Sequence, residues 1–313
     1  MRAARVHEVG APPQLDDVAE PEPSDGRTVA RVRAVPLNPL DLAVAAGRFY
    51  GGHPPLPYVP GSEAIVELQD GTRGWFFGDG AGVARDGTLA ELATVAAERL
   101  IPVPDAVDIA QAAALGIAGI AGWGAVQRAR VAAGDRVLVL GGTGTAGSVA
   151  VQAARLFGAE RVVAAGRDPE RLARARELGA DDTVGLEDAG ELAARFKEAC
   201  GGGGPTAVID FVWNGPAVAA AEAATPHARL VNVGQSAGAE APLTSAAVRG
   251  KELDVLGFSN FARSPEELRE LYLGLLARAQ AGDVRVPVET FSLDEVDEAW
   301  RRQAAGAKSV VLI

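Results

Sequence analysis

The sequence predicts an α/β protein with two domains, one a doubly wound parallel sheet and the other mostly β. Residues 1–108 contain short alternating apolar strands separated by Pro and Gly, without a long helical repeat. Residues 109–284 instead alternate short apolar strands with amphipathic helices, which is typical of a parallel sheet covered by helices. A chain of 313 residues is long enough to bury a core in each domain.

The domain boundaries follow from where this pattern changes. In the first domain we expect strands at RVHEV, RTVARVRAV, SEAIVELQ and LAELATV. One helix over Ile109–Val126 leads into the parallel sheet, and Pro265–Ala281, with Ser264 as its N-cap, is expected to be the last helix there. Residues 285–313 begin with a strand over Arg285–Thr290 and are too few for a third domain. We therefore expect them to complete the β domain, which makes it discontinuous.

A glycine-rich turn follows the first strand of the parallel-sheet domain. The apolar strand Arg136–Leu140 leads directly into GGTGTAG and then into a helix. We expect Gly142 to form the tight turn, Gly144 to let the backbone approach a pyrophosphate, and Gly147 to let the helix pack closely on the strand. A second strand over Arg161–Ala165 completes a βαβ unit. This order is typical of the Rossmann fold and predicts a dinucleotide ligand, bound at the carboxyl ends of the strands, in a cleft between the domains.

The end of the second strand indicates which dinucleotide is bound. NAD sites usually place Asp or Glu there, but this chain has Gly166, followed by Arg167 and, one helical turn later, Arg171. A small residue leaves room for a 2′-phosphate, and two guanidinium groups are suited to bind it. The sequence therefore predicts NADPH. The alternative is that Asp168 binds a ribose hydroxyl of NAD while both arginines are ordinary solvated residues.

Composition and charge favour a cytoplasmic globular protein. Hydrophobic residues make up 48% of the chain and charged residues 23%, and the formal net charge is −11. Nucleic acid and anionic membranes both require a basic face, so neither is expected as a partner. No apolar run has the length of a membrane span, and the amino-terminal residues lack a signal-peptide core.

The metal-ligating residue types are sparse. Cys200 is the only cysteine, which excludes an intrachain disulfide and a cysteine-based zinc site. The three histidines, His7, His53 and His227, lack ligand spacing. We therefore expect no metal site and no zinc.

Further motifs are spread over the whole chain: Asn38-Pro39-Leu40-Asp41 with Ala46-Gly47, Pro57 to Glu63, Ala112 to Trp123, the glycine-rich turn, and Ala299-Trp300 with Gly306. Jointly they resemble the medium-chain dehydrogenase/reductase superfamily, and within it the zinc-independent quinone oxidoreductase branch. The resemblance implies that the mostly β domain is GroES-like. In the zinc alcohol dehydrogenases of that superfamily a histidine at the metal site stands in the place of Ser62, and a lobe with four cysteines follows. Both are missing here, so the resemblance also implies the absence of zinc.

The resemblance implies a set of cofactor-binding residues. Along the pyrophosphate these are Thr143, Gly144, Thr145, Ala146 and Gly147, and around the adenosine phosphate Gly166, Arg167 and Arg171. Two loops are expected to flank the nicotinamide, Val233-Gly234-Gln235 and Phe258-Ser259-Asn260. Asn38 and Asp41 match the family pattern near the nicotinamide face, where we expect them to be catalytic. The alternative for both is a hydrogen-bonded turn before a helix.

Three departures from the family concern its polar positions. Ala43, Ala121 and Leu186 stand where relatives often have tyrosine, threonine and tyrosine, so the substrate side is expected to be more open or more apolar. Tyr50, beside Phe49, is the third catalytic candidate, because aromatic rings stack on a flat quinone and a hydroxyl donates to its oxygen. A solvent-facing loop is the alternative.

These residues predict hydride transfer from NADPH to a quinone, or to the β-carbon of a conjugated enone or enal. Tyr50 or Asn38 would stabilise the developing oxyanion, and water would supply the proton. One alternative is an enoyl or enone C=C reductase of secondary metabolism, and another is an NADPH-binding protein without turnover. A homodimer joined through the apolar strand Leu253–Gly257 is implied by the resemblance.

Overall fold

The computed structural model describes residues 1–24, 26–187 and 190–313. It divides into two compact units. The β-rich unit contains Met1–Ala118, Ser264–Ala281 and Arg285–Ile313, and the parallel-sheet unit contains Gly119–Arg263 and Gly282–Val284.

The first part of the β-rich unit is a series of short strands with two helices. Its elements are β1 (Arg2–Arg5), β2 (Gln14–Asp17), β3 (Thr28–Pro36), α1 (Pro39–Ala45), β4 (Glu63–Glu67), β5 (Arg73–Phe77), β6 (Leu92–Val95), β7 (Ile101–Pro102) and α2 (Ile109–Ala114). Strand β3 shows why these segments are strands. Its apolar residues Ala30 and Val32 are buried while Arg31 is exposed, which is the period of two that a half-buried strand requires.

The chain then forms the parallel-sheet unit and returns. In order these elements are α3 (Ile117–Arg128), β8 (Arg136–Leu140), α4 (Thr145–Leu156), β9 (Arg161–Gly166), α5 (Pro169–Glu177), β10 (Asp182–Gly185), α6 (Leu192–Ala199), β11 (Ala207–Asp210), α7 (Asn214–Ala223), β12 (Arg229–Asn232), α8 (Ser245–Arg249) and β13 (Asp254–Gly257). The elements of the return are α9 (Pro265–Gln280), β14 (Glu289–Ser292), α10 (Val296–Ala304) and β15 (Ser309–Leu312).

The parallel sheet has six strands in the order β10-β9-β8-β11-β12-β13, all parallel. The chain builds outward from β8 through β10 and then crosses to β11 on the other side of β8. Connections leave the sheet in opposite directions at this point, where doubly wound sheets bind ligands. The order confirms the predicted Rossmann-type fold class.

The β-rich unit contains a seven-stranded sheet in the order β14-β15-β3-β4-β5-β7, with β6 also pairing with β3. The pairs are antiparallel except β14 with β15. The last strand of the chain, β15, pairs directly with β3, and Val311 of β15 lies opposite Val35 of β3. The closing residues thus share one core with the amino-terminal strands, including Val35, Phe76 and Trp300.

Two expected helices differ from the structure. The helix expected over Ile109–Val126 is two helices, α2 and α3, interrupted at Gly116, where a Cβ atom would lie 1.9 Å from a carboxylate oxygen of Glu63. Helix α9, expected in the parallel-sheet domain, is in the β-rich unit. The reason is Tyr272, which stacks on Trp75 with ring centroids 4.6 Å apart and donates to the carbonyl oxygen of Ala112 at 2.8 Å.

Several short strands were not expected from the sequence, namely β2, β5, β7 and β10, and β1 ends at Arg5, where the expected strand RVHEV begins. The strand expected over Arg285–Thr290 begins later, at Glu289. Among the described residues, no helix is both long enough and apolar enough to cross a membrane.

Candidate functional site

The glycine-rich turn joins β8 to α4 through close backbone packing. Gly141 has a φ of +79°, so the tight turn depends on this residue rather than on Gly142. A Cβ atom on Gly142 would lie 2.8 Å from that of Ala164 in β9, and one on Gly147 would lie 2.1 Å from the carbonyl oxygen of Gly141. Gly144 is the N-cap of α4 and has no side chain to accept from the first turn. The first amides of α4 are therefore left for a ligand.

The residues after β9 surround the start of α5. Gly166 is buried against Thr143, whose Cγ2 would be 2.4 Å from an added Cβ, so the space above Gly166 is filled by a threonine side chain. Arg167 is exposed. Asp168 caps α5 by accepting from the amide of Arg171 at 3.1 Å, and its other oxygen lies 3.4 Å from Nε of Arg171. Asp168 is thus engaged within its own helix.

The two loops expected to flank the nicotinamide follow β12 and β13. The amides of Val233 and Gly234 donate to the carbonyl oxygen of Asp210, at 2.8 and 3.3 Å. The Phe258 side chain is buried over Gly124, where an added Cβ would lie 2.3 Å from the ring. Phe258 is therefore a packing residue, and only the backbone of this position is left for a cofactor.

A cluster of buried polar side chains lies in the β-rich unit. Asp41 is 1% exposed and accepts three hydrogen bonds, from the amide of Asn38 at 2.8 Å and from the amide and hydroxyl of Ser62 at 2.9 and 2.8 Å. The carboxylate thus ties the turn before α1 to the turn before β4. Burial raises the pKa of Asp41, and its hydrogen bonds oppose that change.

Glu63 is the centre of the cluster. Its side chain is fully buried and accepts from Nδ2 of Asn38 at 2.8 Å, from Nε1 of Trp75 at 2.5 Å and from the amide of Ile117 at 2.8 Å. Ile117 is the first residue of α3, so the positive end of that helix faces the carboxylate. Burial raises the pKa of Glu63 to about 7, although Lys308 and these donors lower it.

Lys308 supplies the compensating charge. It is 3% exposed, and its Nζ donates to the carbonyl oxygen of Leu37 and to Oδ1 of Asn38, both at 2.8 Å. Burial lowers the pKa of Lys308 to about 8, while Glu63 and Asp41 raise it. Asn38 therefore lies between a buried cation and a buried carboxylate.

The structure brings Asn38 and Asp41 together, but the side-chain amide of Asn38 donates both of its hydrogens to acceptors within the protein. Nδ2 of Asn38 donates its two hydrogens to Glu63 and to the carbonyl oxygen of Pro36, the latter at 3.1 Å. The residue is 1% exposed, so the predicted hydrogen bond from Asn38 to a substrate oxyanion would require one of these two bonds to be released. Tyr50 differs completely, because its side chain is 90% exposed and contacts the ring of Phe49, with centroids 4.3 Å apart.

Sequence reasoning missed Glu63 and Lys308 as members of the cluster. The available signal was a charged residue at the start of an apolar strand, in Glu63 before AIV and in Lys308 before SVVL. Such a charge must be buried with the strand, and buried charges require partners. Trp75 carried no comparable signal, since an indole in a strand is ordinarily only a core residue.

A zinc site in a protein needs three or four Cys, His, Asp or Glu ligands, and this cluster matches that requirement poorly. Ser62 donates its hydroxyl to Asp41, and a neutral hydroxyl is not among the ligands that usually hold zinc in proteins. In the described part of the chain, no group of three or more His, Cys, Asp or Glu side chains is placed to hold a metal ion. Cys200 is buried, and burial raises the pKa of its thiol to about 12.

Comparison with known proteins identifies relatives of the whole chain. A family model described as zinc-binding dehydrogenase matches residues 146–278. A quinone oxidoreductase of Rattus norvegicus is 30% identical over 291 residues, which are 90% of this chain and 86% of the rat protein. A subunit of the phenolphthiocerol/phthiocerol polyketide synthase of Mycobacterium tuberculosis is 27% identical over 328 aligned positions, covering 97% of this chain but 14% of that subunit.

Among solved structures, the quinone oxidoreductase from Thermus thermophilus, which was also solved in complex with NADPH, is similar over the full length of both chains. The TM-score is 0.82 and the sequence identity 30%. The rat and Thermus proteins share with this chain both domains rather than the glycine-rich turn alone. The chain therefore belongs to the quinone oxidoreductase family of the medium-chain dehydrogenase/reductase superfamily, and it is an oxidoreductase.

Proposed function

We propose that this protein is an NADPH-dependent reductase that transfers hydride to a quinone or to a conjugated enone or enal. The observation that carries the proposal is the glycine-rich turn between β8 and α4, where Gly147 leaves no room for a Cβ and Gly144 leaves the helix start uncapped by a side chain. The Thermus relative with the same fold was solved with NADPH, which supports the same cofactor here.

The parallel-sheet unit holds the cofactor in this proposal. The first-turn amides of α4, at Thr145, Ala146 and Gly147, bind the pyrophosphate through the helix dipole. Arg167 and Arg171 bind the 2′-phosphate, because guanidinium groups match phosphate oxygens in charge and geometry. Asp168 does not take the ribose role, since both its oxygens already face Arg171. NADPH, when bound, supplies the hydride.

The acceptor oxygen requires a hydrogen-bond donor. We propose Tyr50 as the hydrogen-bond donor to the acceptor oxygen, because its exposed hydroxyl is available and the Asn38 amide is not. Asn38 and Asp41 instead position the turn before α1, the helix that precedes the loop carrying Tyr50. Water protonates the reduced product, since a quinol or enolate oxygen needs no buried acid.

We propose that the reaction needs no zinc. Zinc sites in proteins are built from Cys, His, Asp and Glu ligands, whereas Ser62 offers a neutral hydroxyl bonded to Asp41, and within the described residues no three such ligands are placed together. Metal analysis of the purified protein is expected to find substoichiometric zinc, and dialysis against a chelator is expected to leave the activity unchanged. Loss of activity that added zinc restores would contradict this.

The similarity to a polyketide synthase subunit favours a second candidate, reduction of a C=C bond in an enoyl thioester. Initial rates of NADPH oxidation with 1,4-benzoquinone, 2-alkenals and an enoyl thioester separate the two. Quinone or alkenal turnover supports the first proposal, whereas preference for the thioester supports the second. Tight NADPH binding without turnover on any acceptor would indicate a cofactor-binding protein that is not catalytic.

The variant Tyr50→Phe tests the acceptor side. Because the Tyr50 side chain is 90% exposed, the melting temperature of the variant should equal that of the parent. We expect its kcat with a quinone to fall and its KM for NADPH to stay unchanged. A kcat equal to that of the parent would remove Tyr50 from the proposed machinery and leave water as the donor.

We also propose a homodimer joined through β13. This strand forms one edge of the six-stranded sheet, and Val255 in it is 43% exposed. An unpaired edge with apolar side chains favours pairing with a second copy. Light scattering should report a dimer for the parent and a monomer for Val255→Asp. Val9, in the β-rich unit, is as exposed as Val255, so Val9→Asp is the matched control and should remain dimeric.

A further inference from the structure

We propose that the buried carboxylate of Asp210 is a positioning residue for the loops that follow β11 and β12, and that cofactor affinity depends on it. The inference rests on the proposed function only in that the parallel-sheet unit binds NADPH. Asp210 is the last residue of β11, at the carboxyl edge of the sheet, and it is fully buried. It does not itself touch the cofactor in this proposal.

Asp210 holds the turn after its own strand. Its Oδ1 accepts from the amides of Val212 and Trp213, each at 2.9 Å. Its main-chain carbonyl accepts from the amides of Val233 and Gly234 in the neighbouring loop. One residue thus binds the backbones of two adjacent loops at the edge where doubly wound sheets bind dinucleotides.

The turn held by Asp210 is strained. Trp213 has a φ of 61° and a ψ of −159°, a conformation that is essentially restricted to glycine, and Asn214 follows with a φ of 55°. Two consecutive non-glycine residues at positive φ persist only where surrounding contacts hold them. The carboxylate of Asp210 provides such contacts at Trp213, and the Asn214 side chain provides another by donating to the carbonyl oxygen of Ala237 at 3.0 Å.

The strained turn is packed against the glycine-rich turn and the loop after β12. A Cβ on Gly141 would lie 3.0 Å from Val212, and one on Gly234 would lie 2.7 Å from the carbonyl oxygen of Phe211. The turn thus leaves no space for one added carbon atom beside either the glycine-rich turn or the loop after β12, so its displacement would alter the packing of both. This packing makes the geometry of Asp210 relevant to cofactor affinity, not only to folding.

Only a carboxylate satisfies the surrounding groups. Oδ2 accepts from Nδ2 of Asn232 at 3.3 Å, and the same Nδ2 donates to the carbonyl oxygen of Gly234 at 2.9 Å. The Asp210 carboxylate therefore accepts hydrogen bonds from three donors, the amides of Val212 and Trp213 and Nδ2 of Asn232. In Asp210→Asn the new amide nitrogen would face that of Asn232, which must then rotate and lose its bond to Gly234.

The test compares Asp210→Asn with Asp135→Asn. Asp135 directly precedes β8, at the amino-terminal ends of the strands of the same sheet, and is also nearly buried. It accepts from the amide of Ala132 at 2.9 Å and from the hydroxyl of Thr206 at 2.6 Å, and it forms an ion pair with Arg229. Both variants remove one buried carboxylate from the parallel-sheet unit, but only Asp210 lies at the carboxyl ends of the strands.

The measurements are the Kd for NADPH, from the change in its fluorescence, and the melting temperature. We expect Asp210→Asn to raise the Kd about tenfold, because hydrogen bonds to a charged group are lost. Asp135→Asn should lower the melting temperature at least as much and leave the Kd within about twofold. Asn232→Ala, which removes the link between the loops but keeps the carboxylate, should also raise the Kd.

Equal Kd values for the parent and Asp210→Asn would overturn the inference, as would equal increases in Asp210→Asn and Asp135→Asn. Those results leave the proposed function intact, since the parent still binds NADPH. Failure of the parent to bind NADPH is a different result, which removes the proposed function and this inference together.

Discussion

Nζ of Lys308 donates to Oδ1 of Asn38 at 2.8 Å, although 270 residues separate them along the chain. Nδ2 of the same amide donates to the buried carboxylate of Glu63 at 2.8 Å. An amide between a cation and an anion has one favourable orientation, because a rotation would face N–H groups with the ammonium and oxygen with the carboxylate. Asn38 therefore couples the two buried charges, and the coupling is measurable.

Removal of Lys308 alone should destabilise the protein strongly. Lys308→Met leaves the carboxylates of Glu63 and Asp41 without their buried cation, and we expect the free energy of unfolding to fall by about 3–5 kcal/mol. Chemical denaturation measures this change. Lys197→Met, on the exposed surface of α6, is the control and should change the free energy by less than about 0.5 kcal/mol.

Adding Glu63→Gln to Lys308→Met should recover part of that loss. With the cation gone, Asn38 is free to rotate and present its oxygen to the amide group introduced in place of the Glu63 carboxylate, so no buried charge is left at either end. In the parent background the same Glu63→Gln substitution should destabilise, because Lys308 holds the Asn38 amide in place. Additive effects of the two substitutions would show that the charges are not coupled.

The pH dependence of stability follows from the same pair. The pKa of Glu63 is raised from 4.5 to about 7, so its contribution is fully present below pH 4.5 and is lost as the pH rises through about 7. The pKa of Lys308 is lowered from 10.5 to about 8, so its contribution is present above pH 10.5 and is lost as the pH falls through about 8. The two effects together predict a minimum between pH 7 and 8.

The measurement is the difference in unfolding free energy between the parent and the Glu63→Gln, Lys308→Met double variant. We expect this difference to decrease by an amount on the order of 3 kcal/mol between pH 4.5 and 7 and to increase again above pH 8. A difference that is constant from pH 5 to 7 would mean that Glu63 titrates at its ordinary pKa.

Gly116 should tolerate no side chain. An alanine Cβ there would lie 1.9 Å from Oε2 of Glu63 and 2.5 Å from Nε1 of Trp75, so Gly116→Ala should destabilise by about 1–3 kcal/mol. Gly274, in α9, is the matched control, because an added Cβ meets nothing within 4 Å. Gly274→Ala should stabilise by about 0.4–1 kcal/mol, since alanine loses less backbone entropy on folding. Thermal unfolding should therefore shift in opposite directions.

Cofactor preference should depend on two arginines. Arg167→Ala and Arg171→Ala are each expected to lower kcat/KM for NADPH about tenfold while leaving that for NADH unchanged, because only NADPH carries the 2′-phosphate. Arg174→Ala, one turn further along α5 and exposed, should affect neither. Equal losses with both cofactors would assign the arginines to folding and return Asp168 to consideration for the ribose.

Much of the parallel-sheet unit could be predicted because its signals are local. The strand Arg136–Leu140, the turn through Gly147 and the strand after it are read from about 30 consecutive residues, since backbone sterics and helix packing operate within that span. The position of the left-handed residue was wrong by one, at Gly141 instead of Gly142, because the GxGxxG spacing begins at Gly142 and carries no information on the φ of the glycine before it.

The polar cluster could be predicted only in part. Asn38 and Asp41 were found through a four-residue motif, but their partner Glu63 is 25 residues from Asn38, and Lys308 is 270 residues from it. The partners of the Asn38 side-chain amide could not be predicted for the same reason. Its two amide hydrogens are taken by acceptors whose proximity depends on how the sheet is assembled.

By itself the sequence determined the fold class, the family, the oxidoreductase chemistry and the glycine-rich turn, because these depend on periodicity, on glycine spacing and on motifs that are short in sequence. Only the tertiary structure decided that α9 joins the β-rich unit, that Asn38 lies between Lys308 and Glu63, and that Asp210 holds the strained turn at Trp213. Each of these depends on hydrogen bonds or ring contacts that arise only when separate strands and helices are packed together. A buried charge reveals its partner only after that packing exists.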